Sequence, residues 1–233
     1  MKQLLTEIAS RCPGGKLPES YLVFDTETSG VNPTKDKILQ YGFGVVKEGQ
    51  LVDHFSILVN RPGLKIAPGA VAVHGISEEK MAAEGMDAEA AFNEVLSTFQ
   101  AYRCAEQMFV GHNMIAFDAE LFENESRHWG KEFRFGENEI FDTGMVVKAA
   151  QLGMYFDQRD SIRSWARKVS EVRARGVYWS LDRHCFSAFK LSKFGLDKEA
   201  AHDAGEDCQL THFLVKRFKE KLEELIPEEE IPF

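Results

Sequence analysis

The chain has 233 residues, 44% of them hydrophobic, enough to bury one sizeable core as a single domain with extensions. No apolar run approaches the about 18 residues of a membrane span, and the N-terminal MKQLLTEIAS carries an acidic residue and no long apolar block. A soluble cytoplasmic chain with no membrane association is therefore expected. Four widely spaced cysteines (Cys12, Cys104, Cys185, Cys208) contain no CxxC pair, which argues against a zinc ribbon or a disulfide framework. The net charge of -9 opposes polyanion binding unless charge is reorganised locally or neutralised by metal ions.

In chain order, residues 2–12 read as a short helix and the following PGGKLPES as a linker, so residues 1–19 form a peripheral arm. YLVFDTET from Tyr21 is apolar and then acidic, as in a central strand whose carboxylates emerge near its end. ILQYGFGVVKEGQLVDHFSILVN reads as two strands about a turn at Glu48-Gly49-Gln50. Phe92, Val95, Leu96 and Phe99 mark an amphipathic helix over 87–103 with Asp87 as its cap. MFVGHN is a strand, 118–129 a helix, EIFDT a short strand, and GMVVKAAQLG a helix closed by Gly153. Ile162, Trp165, Val169 and Val172 mark a further helix with Arg163 and Arg167 on its other face. The last helix runs from about Asp203 to Glu224, buried through Leu210, Phe213, Leu214 and Phe218. Hairpins followed by alternating helices and strands predict an α/β fold, a mixed sheet covered by helices.

Asp25 and Glu27 are two apart on a strand, so both carboxylates leave the same face and require a counter-charge. Hard divalent cations such as Mg²⁺ or Mn²⁺ take oxygen ligands and suit such a pair better than zinc does; two ordinary surface acids on a strand edge are the other reading. In AAHDAGEDCQL, Asp203 and Glu206 have capping-box spacing, which puts Asp207 in a first helical turn where the macrodipole favours an ionised carboxylate. His202 then sits just outside the helix, either free to reach a site or acting in capping. Asp118 follows the strand VGHN and fits both a cleft carboxylate and a helix cap, and Asp142 reads as a cap. The stretch from Arg159 to Lys193 holds nine basic and three acidic residues, net +6, either a solvated face or a guide for a phosphate backbone.

FDTETSG, GHNMIAFDAELF and HDAGED, in that order, resemble the three motifs of the DEDDh exonucleases, a family that includes the proofreading subunit of bacterial replicative DNA polymerases and several RNA-trimming enzymes. The resemblance runs from about Tyr21 to Leu214 and departs in one respect: Asp118 lies five positions after Asn113, where the family commonly has four. It implies a ribonuclease H-like fold with a mixed five-stranded sheet over residues 20–224 and 3′-to-5′ exonuclease activity, with DNA as substrate and RNA as the rival. It further implies two divalent cations, Mg²⁺ or Mn²⁺, held by Asp25, Glu27, Asp118 and Asp207, with Asp25 bridging them and His202 as general base. Thr26, Val73, His74, Asn113 and Phe117 would meet the terminal nucleotides, and Arg163 and Arg167 the phosphates. Phe117 fits the core equally well. A non-catalytic nucleic-acid-binding module on the same fold is the remaining alternative, although such a module has no need of all five residues. Finally, residues 225–233 form an acidic tail in which Ile231, Pro232 and Phe233 resemble the tip by which bacterial single-stranded-DNA-binding proteins recruit partners; a frayed terminus is the other reading.

Overall fold

The computed structural model describes residues 1–157, 159–181 and 203–223. Strands β1 (Tyr21–Thr28), β2 (Ile38–Lys47) and β3 (Gln50–Asn60) form an antiparallel meander. Helices α2 (Pro68–His74) and α3 (Glu78–Glu84) then lead to β4 (Met86–Asp87) and α4 (Ala88–Cys104). After β5 (Met108–Gly111) come α5 (Asp118–His128), β6 (Ile140–Asp142), α6 (Thr143–Leu152), α7 (Ile162–Glu171) and α8 (Ala204–Leu222), and α1 (Lys2–Ala9) precedes them all. The sheet order is β4-β3-β2-β1-β5-β6, with β5 parallel to β1 and β6 parallel to β5. Among the described residues the sheet is mixed, as expected, with six strands instead of five. The addition, β4, is two residues long and pairs with Val59 and Asn60 at the end of β3, too short to register as a period in the sequence.

Local chemistry accounts for the boundaries. Glu48 and Gly49 both have positive φ, 51° and 74°, and join the paired residues Lys47 and Gln50; this two-residue loop matches the right-handed twist of its strands. Asp87 caps α4 through the N–H groups of Glu89 and Ala90, and Gly153, at φ 63°, closes α6. In the central strand, Tyr21, Leu22, Val23 and Phe24 are all buried because helices cover both faces of the sheet. The ring of Phe24 meets Phe99 of α4 at 4.9 Å between centroids, while α8 packs on β1, β2 and β3.

The N-terminal arm is part of the core. Leu4, Leu5 and Ile8 are buried against α6 and α8, which corrects its reading as peripheral: an amphipathic helix of about two turns covers apolar surface that those two helices leave open. Among the described residues no helix is long and apolar enough to cross a membrane.

Candidate active site

β1 runs past its parallel neighbour. The pairing with β5 ends at Val23–Val110, so Asp25 and Glu27 stand beyond it, at the carboxyl ends of the parallel strands where open α/β sheets form their clefts. On the other side β1 stays paired with β2, Asp25 opposite Gly42 and Glu27 opposite Gln40. Gly42 permits a close approach of backbones: a Cβ there would lie 2.1 Å from the backbone of Ala204, so the first turn of α8 rests directly on the sheet. Asp207 thereby joins the pair. One carboxylate oxygen from each of Asp25, Glu27 and Asp207 lies within 4.8 Å of the others.

The fourth acid stands beside this trio, outside it. Asp118 opens α5, and its Oδ1 accepts a 2.5 Å hydrogen bond from the hydroxyl of Thr26. Phe117 occupies the position before the helix, so Asp118 is not its cap. The long Asn113–Asp118 interval is taken up by a 3₁₀ turn over Met114–Ala116, with Asn113 left-handed at φ 66°. Asp142 holds that turn: buried at the end of β6, it accepts from the N–H groups of Asn113 and Ile115, each at 2.9 Å, and of Met145 at 3.1 Å. It is a cap, as expected, for a strand-to-helix turn as well as for α6.

Burial and like charge act together on these groups. Burial pushes Glu27 up to about 8, with Asp207 and Asp118 adding to the effect, and raises Asp25 well above the usual carboxylate range, with Asp118, Asp207 and Glu27 adding to it. Asp118 rises to about 7 through burial, restrained by the Thr26 hydroxyl, and Asp142 to about 6 through burial, restrained by its backbone donors. The charges acting most on Asp25 and Glu27 are all carboxylates. A cluster of hard oxygen donors that repel one another fits divalent cations of the Mg²⁺ or Mn²⁺ class.

The residues expected at the substrate divide. Val73 is 55% exposed, and His74 is fixed beside it, its Nδ1 accepting from Ile76 N–H and its Nε2–H donating to the Thr28 carbonyl at 3.2 Å. Phe117 is half-buried against the core, and Arg167 is exposed. Arg163 is a correction. It is 2% exposed, its guanidinium bound to Glu123 at 2.7 Å and to the Phe135 carbonyl at 2.5 Å, so it ties α7 to α5 and faces no solvent. The expected capping box at α8 is also only half made. Asp203 caps Gly205 N–H at 2.9 Å, while Glu206 turns to Gln209 and His54 instead of back to Asp203. His202, Ile231, Pro232 and Phe233 lie outside the described residues. Sequence reasoning passed over Gln40, whose signal is a polar residue inside the apolar run ILQYGFGVV.

Comparisons with known proteins bear on the family and the fold. The exonuclease family described as RNase_T matches residues 22–214. A PolC-type DNA polymerase III of Clostridium perfringens is 29% identical over 88% of this chain and 12% of its own length. Exodeoxyribonuclease I of Haemophilus influenzae is 25% identical over 87% and 40%. The chain thus spans less than half the length of these relatives. The structure of E. coli exonuclease I in a zinc-bound complex with single-stranded DNA superposes with a TM-score of 0.65 at 20% identity, covering 89% of this chain and 42% of that one. The fold is ribonuclease H-like, and the chain belongs to the exonuclease family, in its DEDD class.

Proposed function

We propose that the chain removes nucleotides from 3′ ends of DNA, single-stranded or frayed, by metal-dependent hydrolysis of the phosphodiester bond. The observation that carries this is the trio of carboxylate oxygens of Asp25, Glu27 and Asp207 within 4.8 Å, beside Asp118, in a member of the exonuclease family. DNA is preferred to RNA because two relatives, the exodeoxyribonuclease of H. influenzae and the E. coli exonuclease held with single-stranded DNA, are named for DNA.

Asp25, Glu27, Asp118 and Asp207 would hold two divalent cations, which when bound would supply Lewis acidity to the hydrolysis. The four acids otherwise repel one another, so the chain itself favours cation uptake at neutral pH and above. Asp118, whose carboxylate accepts from the Thr26 hydroxyl, would complete the set. His202, immediately before the Asp203 cap, takes the proton of the attacking water, as suits a group with an unperturbed pKa of about 6.5. At the terminal nucleotide, Thr26 contributes its backbone and Asn113 the left-handed turn ahead of Asp118. Val73 offers an exposed apolar contact, and the fixed ring of His74 and the half-buried Phe117 offer stacking faces.

Matched DNA and RNA oligonucleotides, labelled at the 3′ end, single- and double-stranded, incubated with Mg²⁺, Mn²⁺ or EDTA, test the proposal. Release of labelled mononucleotide from DNA, blocked by EDTA, is the expected result. Internal cleavage, or equal activity in EDTA, refutes it, and a preference for RNA reassigns the substrate.

A further inference from the structure

We infer that Gln40 is a positioning residue of the hydrolytic site: its side-chain amide fixes the first turn of α8 so that Asp207 meets Asp25 and Glu27 at one cation. The inference rests on the metal-dependent reading above.

Gln40 is 5% exposed near the start of β2, where an amide without partners would be costly. Each of its polar atoms is used across elements. Nε2 donates to Asp203 Oδ2 at 2.7 Å and to Ser56 Oγ at 3.0 Å, and Oε1 accepts from the Ala204 N–H at 3.2 Å. The orientation is determined by chemistry, since a backbone N–H only donates and an ionised carboxylate only accepts. Ala204 N–H is one of the helix's orphan donors, and Gln40 satisfies it from the neighbouring strand. Asp203, held by Gln40 through one oxygen, caps Gly205 N–H through the other, and its carbonyl accepts the Asp207 N–H at 2.9 Å. A continuous chain of bonds therefore runs from Gln40 through Asp203 to Asp207.

Register explains why this matters for the site. Gln40 lies opposite Glu27 and Gly42 opposite Asp25. The two residues of β2 that face the two β1 acids are thus the two that seat the helix bringing the third: Gly42 by letting the backbones touch, Gln40 by bonding. A glutamate at position 40 would lose the donor to Asp203 and set two carboxylates against each other. A methionine would keep the volume and lose all three bonds.

The test compares Gln40→Glu, Gln40→Met, the double variant Gln40→Glu with Asp203→Asn, and Ser56→Ala. Mn²⁺ binding without substrate is followed by electron paramagnetic resonance, the thermal midpoint is measured in EDTA, and kcat and KM are obtained on a short DNA oligonucleotide. Loss of an outer partner of a metal ligand typically costs roughly 10- to 100-fold in metal affinity or activity. A loss in that range is expected in both single Gln40 variants, falling on Mn²⁺ affinity and kcat while oligonucleotide KM changes little. Ser56→Ala should bind Mn²⁺ as the unaltered chain does. The double variant keeps the net charge and reverses the bond: the amide introduced at position 203 donates to the carboxylate introduced at position 40, and its oxygen still caps Gly205. Recovery of most of the lost Mn²⁺ affinity is therefore expected. Unchanged Mn²⁺ affinity in a folded Gln40→Met, or a double variant no better than Gln40→Glu, overturns the inference. Absence of Mn²⁺ binding by the unaltered chain overturns the metal reading with it, whereas intact Mn²⁺ binding without hydrolysis overturns the proposed function alone.

Discussion

At the scale of single residues, the acids of the cleft make the metal-free fold work against its own site. Glu27 is pushed up to about 8 and Asp118 to about 7, and both would titrate near 4 in the unfolded chain. Between those limits the folded state binds more protons than the unfolded one, so stability is fully present below about pH 4 and is lost as pH rises through the folded values. In EDTA the thermal midpoint should therefore fall from about pH 5 to about pH 8. Asp207→Ala should flatten that fall by removing a charge that acts on Asp25 and Glu27, and at the alkaline end it should melt higher than the unaltered chain while losing hydrolysis. Added Mn²⁺ should raise the unaltered midpoint more at the alkaline end than at the acid end. Parallel melting profiles for the two chains in EDTA would sink this account. Local geometry in the sequence placed Asp25 and Glu27 on one face of a strand and Asp207 in a first turn after a cap, while their assembly with Asp118 into one site followed from the resemblance of the three motifs. Gln40 and Asp142 were less so, since what they do depends on partners 163 and 29 residues away.

At the scale of elements, the seat of α8 on β2 is a backbone contact, and it makes a sharp comparison between two glycines. A Cβ at Gly42 would stand 2.1 Å from Ala204 backbone atoms, which cannot move without the helix. At Gly44 it would meet side-chain carbons of Leu51, Val23 and Cys208 at 3.2 to 3.3 Å. Gly42→Ala should cost at least the roughly 1–3 kcal/mol of an overpacked core and, by lifting Asp207 from Asp25 and Glu27, abolish Mn²⁺ binding and hydrolysis. Gly44→Ala, whose neighbours need give only by a few tenths of an ångström, should cost less than Gly42→Ala and keep more of its activity. Equal midpoints and equal turnover for the two variants would show that α8 is not seated through Gly42. The long elements were readable from hydrophobic period, but the pair α2 and α3 was not. Each has only seven residues, and their signals are punctuation: Pro68 at the first turn, Gly75 left-handed after α2, Ser77 capping α3. Helices this short hold through neighbours, here the bonds from His74 to the Thr28 carbonyl and from Ala67 N–H to the Ser29 carbonyl.

At the scale of the whole molecule, the fold class followed from the order of hairpins, helices and strands, while the basic stretch did not sort itself into inside and outside by sequence. Arg163 neighbours the apolar stripe of α7 and goes in, because Glu123, 40 residues earlier, waits there with the Phe135 carbonyl. Arg167, Arg173 and Arg175 stay exposed. The segment after α7 then leads back towards the cleft. Gln151 bonds both backbone groups of Tyr178, Lys148 lies 4.2 Å from the Trp179 ring, and the Trp179 carbonyl meets His112 beside Asn113. In a chain of net charge -9, these three exposed arginines, one on α7 and two just after it, would supply the local reversal that a polyanion needs. Each phosphate contact on a single strand should contribute about 0.7 to the slope of log(kcat/KM) against log salt, so reversing all three to glutamate should flatten the slope by about 2 and raise KM far more than it lowers kcat. Arg163→Ala should behave oppositely. It strands Glu123 as a buried unpaired charge, at a cost of about 3–5 kcal/mol read as a lower denaturation midpoint, and leaves the salt slope of the folded fraction unchanged. A triple variant with the unaltered slope and KM would assign Arg167, Arg173 and Arg175 to a merely solvated face and move the strand's path elsewhere on the molecule.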